Sequence, residues 1–291
     1  MIEYSKGSMA DLKELKTLWI ASFNDTLKGF KTFMKNNKNK MRIYVAKDGN
    51  RTVAMLYHIP CKFLEYKAHY LYGAATESKY RNRGIMKNLI DFSLEDAKTL
   101  GEEFSFLYPA DDHLYGYYYS LGYERNCFRK QATVSRDKLM HIAEYSPFCM
   151  SLSVTGMGKL RENYLKGNSL QFSQDYIKYS VANVKNYGGY VICSGDGYCF
   201  VDEDEYKKCV VSELFAKEDD IFPLLGEMLK ESDADTFVFN YSPTLNIFDN
   251  EEIVPDGMVK FLHYQIYLML DRKSTRLNSS HVSESRMPSS A

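Results

Sequence analysis

The sequence has 291 residues, a length that suits two packed units of about 130 residues better than one small domain. Lys and Arg number 37 against 38 Asp and Glu, a net charge of -1 that argues against a global field for nucleic acid or an anionic membrane; any anion site must be local. Hydrophobic residues make 45% and charged residues 26%, no apolar run reaches the roughly 18 residues of a membrane span, and the N-terminus lacks the apolar stretch of a secretory signal.

Met1 to Tyr4 predicts a short strand. Ser8 then stands three residues before Asp11, an acidic variant of the capping box, and Leu12, Leu15, Trp19 and Phe23 follow at helical spacing. Thr26 to Lys35 reads as a second helix. Arg42 to Ala46 turns to a strand, with Lys47-Asp-Gly-Asn50 as a hairpin turn and further strands from Thr52 to Phe63 and from His69 to Glu77. From Gly84 the period is helical through Ile85, Leu89 and Phe92, ending near Gly101. Phe104 to Pro109 is a short apolar strand, Asp112 to Leu121 a short helix and Tyr123 to Val134 a strand. This order predicts a mixed α/β layer with a central sheet and a domain over 1–140.

After a helix at Arg136 to Glu144, Ser146-Pro147 marks a boundary. The second half, 147–270, reads as helices at 159–165 and 174–186, strands at 189–193, 198–202 and 206–216, a helix at 221–229 and a strand at 236–241. That order repeats the first half, as a duplication would. Six scattered cysteines (Cys61, Cys127, Cys149, Cys193, Cys199, Cys209) without a C-x-x-C point to a reducing cytoplasm, and against zinc or a disulfide framework.

Residues 271–291 hold seven serines and can bury no face in either period, so they read as a disordered or foreign tail. DRKSTRLNSSH followed by SRMPSSA resembles the in-frame translation of a common short-read sequencing adapter. Without that stretch the balance is 33 basic against 36 acidic residues, a net charge of -3.

The chemistry concentrates in Leu71 to Ile90, LYGAATESKYRNRGIMKNLI. An apolar strand enters a short polar turn with Arg81, Arg83 and Gly84, and a helix starts at once. Such a junction presents unpaired amides and partial positive charge to a phosphate, and Gly84 removes a Cβ where an anion must come close. R-x-x-G alone is a weak motif; its place at a strand-to-helix junction strengthens it.

Here the sequence resembles the GNAT superfamily of acyl-CoA-dependent N-acetyltransferases, whose signature is Q/R-x-x-G-x-G/A at this junction. Arg81-Asn82-Arg83-Gly84-Ile85-Met86 matches at Arg81 and Gly84, while Met86 replaces the final small residue. The resemblance implies that the amides from Asn82 through Lys87 hold the CoA pyrophosphate, and that the main chain near Ala75 and Thr76 pairs with the pantetheine arm. Tyr117-Tyr118-Tyr119-Ser120-Leu121-Gly122-Tyr123 resembles the family's second segment, L-Y-x-x-L-G-F, which implies that Tyr118 faces the CoA sulfur and protonates the departing thiolate. Packing alone also explains Tyr118 in a chain with 24 tyrosines.

The two-unit layout is similar to the enhanced-intracellular-survival branch, in which a degenerate second unit follows the active one. Val210 to Ala216 is followed here by Lys217-Glu-Asp-Asp220, whose acids would repel a pyrophosphate, so one CoA per chain is expected. The general base stays open. The strand position that carries a carboxylate in some members is Tyr70, with His69 on the opposite face; Asp111, Asp112 and His113 read as a solvated helix start. In that branch the chain's C-terminal carboxylate reaches the site, which here would mean a terminus near residue 270. His58 and Trp19 read as packed groups, and Lys35 to Lys40 as a solvated loop.

These readings together give acetyl transfer from acetyl-CoA to a small-molecule or peptide amine, without metal, nucleic acid or membrane, and they leave a homo-oligomer open. The rival from another class is a non-catalytic acyl-CoA sensor or scaffold. A dinucleotide-binding unit fits less well, for want of G-x-G-x-x-G and repeated βαβ units.

Overall fold

The computed structural model describes residues 1–144, 152–164, 170–263 and 277–278, and they divide into two compact α/β units. The first begins with β1 (Ile2–Lys6), a 3₁₀ turn at Met9–Asp11, α1 (Leu12–Phe23) and α2 (Leu27–Asn37). The Ser8 and Asp11 capping box forms at that turn, with Ser8 N donating to Asp11 Oδ2 at 2.7 Å. Then come β2 (Arg42–Asp48), β3 (Arg51–Phe63), β4 (Tyr66–Thr76), α3 (Ile85–Thr99), β5 (Phe104–Leu107) and α4 (Asp112–Ser120). Strands β1 to β4 form an antiparallel meander, and β5 joins β4 in parallel after the α3 crossover.

Hydrophobic period decides which face each helix buries. Leu89, Ile90, Leu94 and Ala97 of α3 pack into a core with Tyr44, Val53, Leu56 and Leu71. In a second, aromatic core, Trp19 of α1 stacks on Phe33 of α2 at 4.8 Å and meets Tyr57 and Tyr72 edge-on or tilted at 5.9 Å. Burying an aromatic of this size stabilises by about 2–3 kcal/mol before strain and entropy are counted.

The second unit contains most of β6 (Glu124–Ser135), then α5 (Arg136–Ile142), α6 (Val154–Tyr164), β7 (Leu170–Phe172), α7 (Gln174–Asn186), β8 (Tyr190–Ser194), β9 (Gly197–Glu203), β10 (Lys208–Ala216), α8 (Ile221–Glu231) and β11 (Thr236–Tyr241). Strands β8, β9 and β10 are antiparallel, β10 and β11 are parallel across α8, and β11 is flanked antiparallel by β6. Leu224, Leu225 and Met228 of α8 pack on Phe237 and Phe239. The ladder pattern of the first unit is thus repeated, as tandem units require.

Four differences from the sequence expectation follow, most of them from pairing that no local period reveals. A strand, β12 (Glu252–Phe261), escapes the sequence pattern because Pro255 and Gly257 interrupt the run. Its end, Met258 to Phe261, pairs antiparallel with Leu107 to Phe104 of β5, so the chain returns to the first unit at Gly257. The units therefore divide within β6 and within β12, and not between 140 and 147. Helix α6 begins five residues ahead of the expected Lys159, and β7 is a strand that the sequence pattern does not signal.

Of 271–291, only Leu277–Asn278 is described, as β13, parallel to Cys127 and Phe128 of β6. Ser146-Pro147 and the segment around residue 270 lie outside the described residues. No helix among the described residues is long and apolar enough to cross a membrane.

Candidate active site

Strand β4 carries the site's geometry. It pairs with β3 regularly up to Tyr57 opposite Tyr72 and resumes at Met55 opposite Ala75, which leaves Leu56 facing both Gly73 and Ala74. This bulge needs Gly73. Its φ is +59°, and a Cβ there would stand 3.0 Å from Tyr57 Cδ2 and 3.2 Å from Trp19 Cζ3. The parallel ladder to β5 ends at Tyr70 opposite Phe106, so Leu71 to Thr76 run on without a β5 partner. An unpaired strand edge offers amides and carbonyls to an extended ligand. Ala75 and Thr76 lie on it, and Thr76 Oγ1 is buried with no hydrogen-bond partner.

The strand leads into a 3₁₀ turn at Ser78–Tyr80, then Arg81, Asn82, Arg83 and Gly84. Asn82 (φ +59°) and Gly84 (φ +73°) are both left-handed, a conformation that asparagine tolerates and glycine adopts freely. Gly84 is the N-cap of α3 and gives its first amides no side-chain acceptor, whereas α2, α4, α5 and α7 start on a Thr, Asp or Ser that accepts one. A Cβ at Gly84 would meet nothing within 4 Å, so the approach to the amides of Ile85, Met86 and Lys87 is open.

Arg81 is half-buried, its Nε donating to the Thr76 carbonyl at 3.1 Å, which ties the turn to the strand end. Lys79 and the exposed Arg83 flank the Tyr80 ring at 5.4 and 5.3 Å, so three cations border the turn and Lys87 a fourth position beyond it. Met86 packs against the α3 core.

Tyr118 lies on α4, which Asp111 caps by accepting the Leu114 amide at 3.1 Å. Tyr118 belongs to the same core cluster as Leu71 and Leu107, the residues flanking the place where β4 and β5 part. Its ring meets Tyr117 at 5.2 Å and Tyr123 at 5.9 Å, both edge-on. Burial, with smaller contributions from Tyr117 and Asp111, pushes its phenol well above the usual tyrosine range. The phenol is therefore protonated throughout neutral pH, the state a proton donor needs.

Tyr70 points away from His69, as alternation requires: Tyr70 lies against Tyr72 and Tyr108 at 5.5 and 5.3 Å. His69 stacks on His58 at 3.6 Å with rings 9° apart. Sequence reasoning missed the network these imidazoles join. Arg42 Nη2 donates to both Glu102 oxygens at 2.7 Å, and Glu102 Oε2 accepts from His69 Nδ1 at 2.7 Å. Burial lowers both imidazole pKa values, so the rings are neutral, while Glu102 stays ionised despite its own burial because His69 and Arg42 hold it. His58, His69 and Glu102 bring ligand atoms within 4.8 Å of one another. Parallel rings send their in-plane lone pairs side by side instead of to one point, and Arg42 already holds the carboxylate. As arranged, the group is a buried charge network. Arg42 and Glu102 stand 60 residues apart, and no sequence pattern links them.

In the second unit the corresponding turn is Lys217 and the 3₁₀ segment Glu218–Asp220 ahead of α8. None of its residues has a positive φ, and Lys217 pairs with Asp196.

Residues 3–125 match the family model of the acetyltransferase (GNAT) domain. No curated protein matches the sequence. A crystal structure from Enterococcus faecalis V583, described as a conserved protein of unknown function and probable N-acyltransferase, aligns with a TM-score of 0.73 at 16% identity over 92% of this chain and 74% of that one. A GCN5-related N-acetyltransferase from Anabaena variabilis ATCC 29413 gives 0.70 at 14% identity, over 91% and 74%. Eis1 from Mycobacterium abscessus gives 0.66 at 12% identity, over 92% and 75%. At such identities the likeness concerns the fold, and it extends over both units. Residues 3–125 thus match the acetyltransferase (GNAT) domain, and this match supports an acyltransferase.

Proposed function

We propose that the chain moves an acetyl group from acetyl-CoA directly to a primary amine, in a ternary complex at the parting of β4 and β5. One observation carries this reading: the Gly73 bulge, the loss of the β5 ladder after Tyr70 and the uncapped start of α3 at Gly84 follow one another along one strand and its exit. The edge of β4 near Ala75 and Thr76, which lacks a β5 partner and whose Thr76 carbonyl Arg81 holds, suits the amide groups of a pantetheine arm. The amides from Asn82 to Lys87, with Arg81 and Arg83 beside them, suit its pyrophosphate. The acceptor is a small-molecule or peptide amine. The tandem layout and the likeness to Eis1 support a place near the enhanced-intracellular-survival branch, and the mostly buried cysteines, none in a disulfide among the described residues, support a cytoplasmic setting.

In the reaction the neutral amine nitrogen attacks the thioester carbon, a C–N bond forms, and the C–S bond breaks as the tetrahedral adduct collapses. Backbone donors on β4 polarise the carbonyl, and holding both reactants in one cleft supplies much of the rate. Tyr118 delivers a proton to the leaving sulfur, and the proton lost by the amine goes to solvent or a base. The test is thiol release from acetyl-CoA across a panel of amines. Release that depends on the amine supports the reading; binding of acetyl-CoA without release by any amine overturns it in favour of a sensor.

A further inference from the structure

The last strand of the first unit brings in a residue that lies outside both motifs. Lys260 lies on β12 opposite Ser105 of β5. Its stem crosses Gly122, whose missing Cβ would lie 3.5 Å from Lys260 Cε, and its Nζ donates to the Leu121 carbonyl at 2.6 Å. The ammonium also stands 5.9 Å from the centre of the Tyr123 ring, and Tyr123 in turn shares a 2.7 Å hydrogen bond with Ser105. Lys260 is half-buried, and the carboxylates of Asp91 and Glu95 on α3 act on its charge.

Leu121 is the C-cap of α4, so its carbonyl is among those a helix end leaves without an internal donor. The same turn is closed on Tyr118: its carbonyl accepts the amides of Leu121 at 3.0 Å and Tyr123 at 3.1 Å. A cation at a helix C-terminus is also the favourable sign for the helix dipole. One ammonium therefore secures the turn that carries the phenol, from 139 residues further along the chain.

We propose that Lys260 is a positioning residue for acyl transfer: by holding the Leu121 carbonyl it fixes the last turn of α4 and the direction of the Tyr118 phenol. This rests on the proton-donor role proposed for Tyr118. It accounts for a lysine kept half-buried against a carbonyl, where a charge is more costly than at the surface.

The test is steady-state kinetics of the full chain with Lys260→Met, Lys260→Arg, Tyr118→Phe and the Tyr118→Phe/Lys260→Met pair. Lys260→Met is expected to lower kcat about 10-fold while KM for acetyl-CoA moves less than about 2-fold, and Lys260→Arg to restore most of the loss. In the Tyr118→Phe background, Lys260→Met should cost less than about 2-fold, because the group it positions is gone. An unchanged kcat in Lys260→Met overturns the proposal, as does a full additional loss in the pair. If Lys260→Met does not fold, Lys260→Gln, which keeps a shorter neutral donor, must lie between wild type and Tyr118→Phe in kcat; equality with wild type overturns the proposal. A Tyr118→Phe enzyme with normal kcat refutes the proton-donor role itself, a distinct outcome.

Discussion

The two crossover turns of this chain do the same topological job with opposite chemistry. Each links parallel strands through a helix, β4 to β5 by α3 and β10 to β11 by α8. The first turn has eight residues, two of them left-handed, with three cations; the second has four, all of negative φ, and three of them acidic. The imbalance extends to each half of the sequence: 1–126 holds 19 basic against 15 acidic residues, net +4, and 127–256 holds 13 against 21, net -8. One topology therefore carries two turns of different length, conformation and charge, and only the first has the features proposed to hold an anion. Length and left-handed residues in the turn free the amides, and charge decides whether an anion is welcome.

Four changes would break or sharpen this contrast, the largest first. Tyr118→Phe should lower kcat about 100-fold, near 2.7 kcal/mol of transition-state stabilisation, with acetyl-CoA affinity nearly unchanged. Equal losses in turnover and affinity, the latter measured calorimetrically, would remove it from the donor role. Gly84→Val should weaken acetyl-CoA binding roughly 30-fold. A branched residue at φ +73° is strained, and its methyls occupy the open approach to the amides. Retained affinity in a folded Gly84→Val protein would sink the pyrophosphate assignment.

The third change concerns pH. His58 and His69 have folded pKa values below the unfolded value, so the stability they contribute is present above about pH 6.5 and is lost as pH falls below it. The second unit buries Arg161, Glu213 and Tyr198 together, without an imidazole. Hydrogen exchange between pH 7 and 5 should therefore show the first unit loosening before the second; simultaneous loosening would contradict the assignment of neutral, buried imidazoles. The smallest effect is expected in the second unit: Asp219→Asn with Asp220→Asn should leave acetyl-CoA stoichiometry at one per chain, because the short turn still lacks left-handed residues. A second equivalent in titration would show that charge alone had closed that site.

Much of this architecture is legible in the amino-acid sequence. Capping residues and hydrophobic period place α1, α2, α3 and α8 within a few residues, since each buries a single stripe against the sheet. Gly84 is readable as a turn glycine beside arginines. The bulge at Gly73 is not, because a lone glycine in an apolar strand does not reveal its partner's register. The Arg42, Glu102, His69 and His58 network depends on separate elements meeting, and each residue alone looks like ordinary surface or core. Strand β12 escapes because Pro255 and Gly257 mimic a loop; Gly257 is in fact required, since a Cβ there would lie 2.5 Å from Tyr108 Cε1.

That returning strand sets a schedule for biosynthesis. When the ribosome has made residue 126, the stretch that matches the acetyltransferase family is complete, yet β5 still lacks its outer neighbour. At 5–20 residues per second, the remaining run to Phe261 takes about 7–27 s. During that interval the nascent first unit exposes an unpaired strand edge, a template for wrong partners. The first unit can thus be finished only after the acidic half has been synthesised, and a nascent chain halted between them would present the Gly84 turn without the lysine that holds the Leu121 carbonyl.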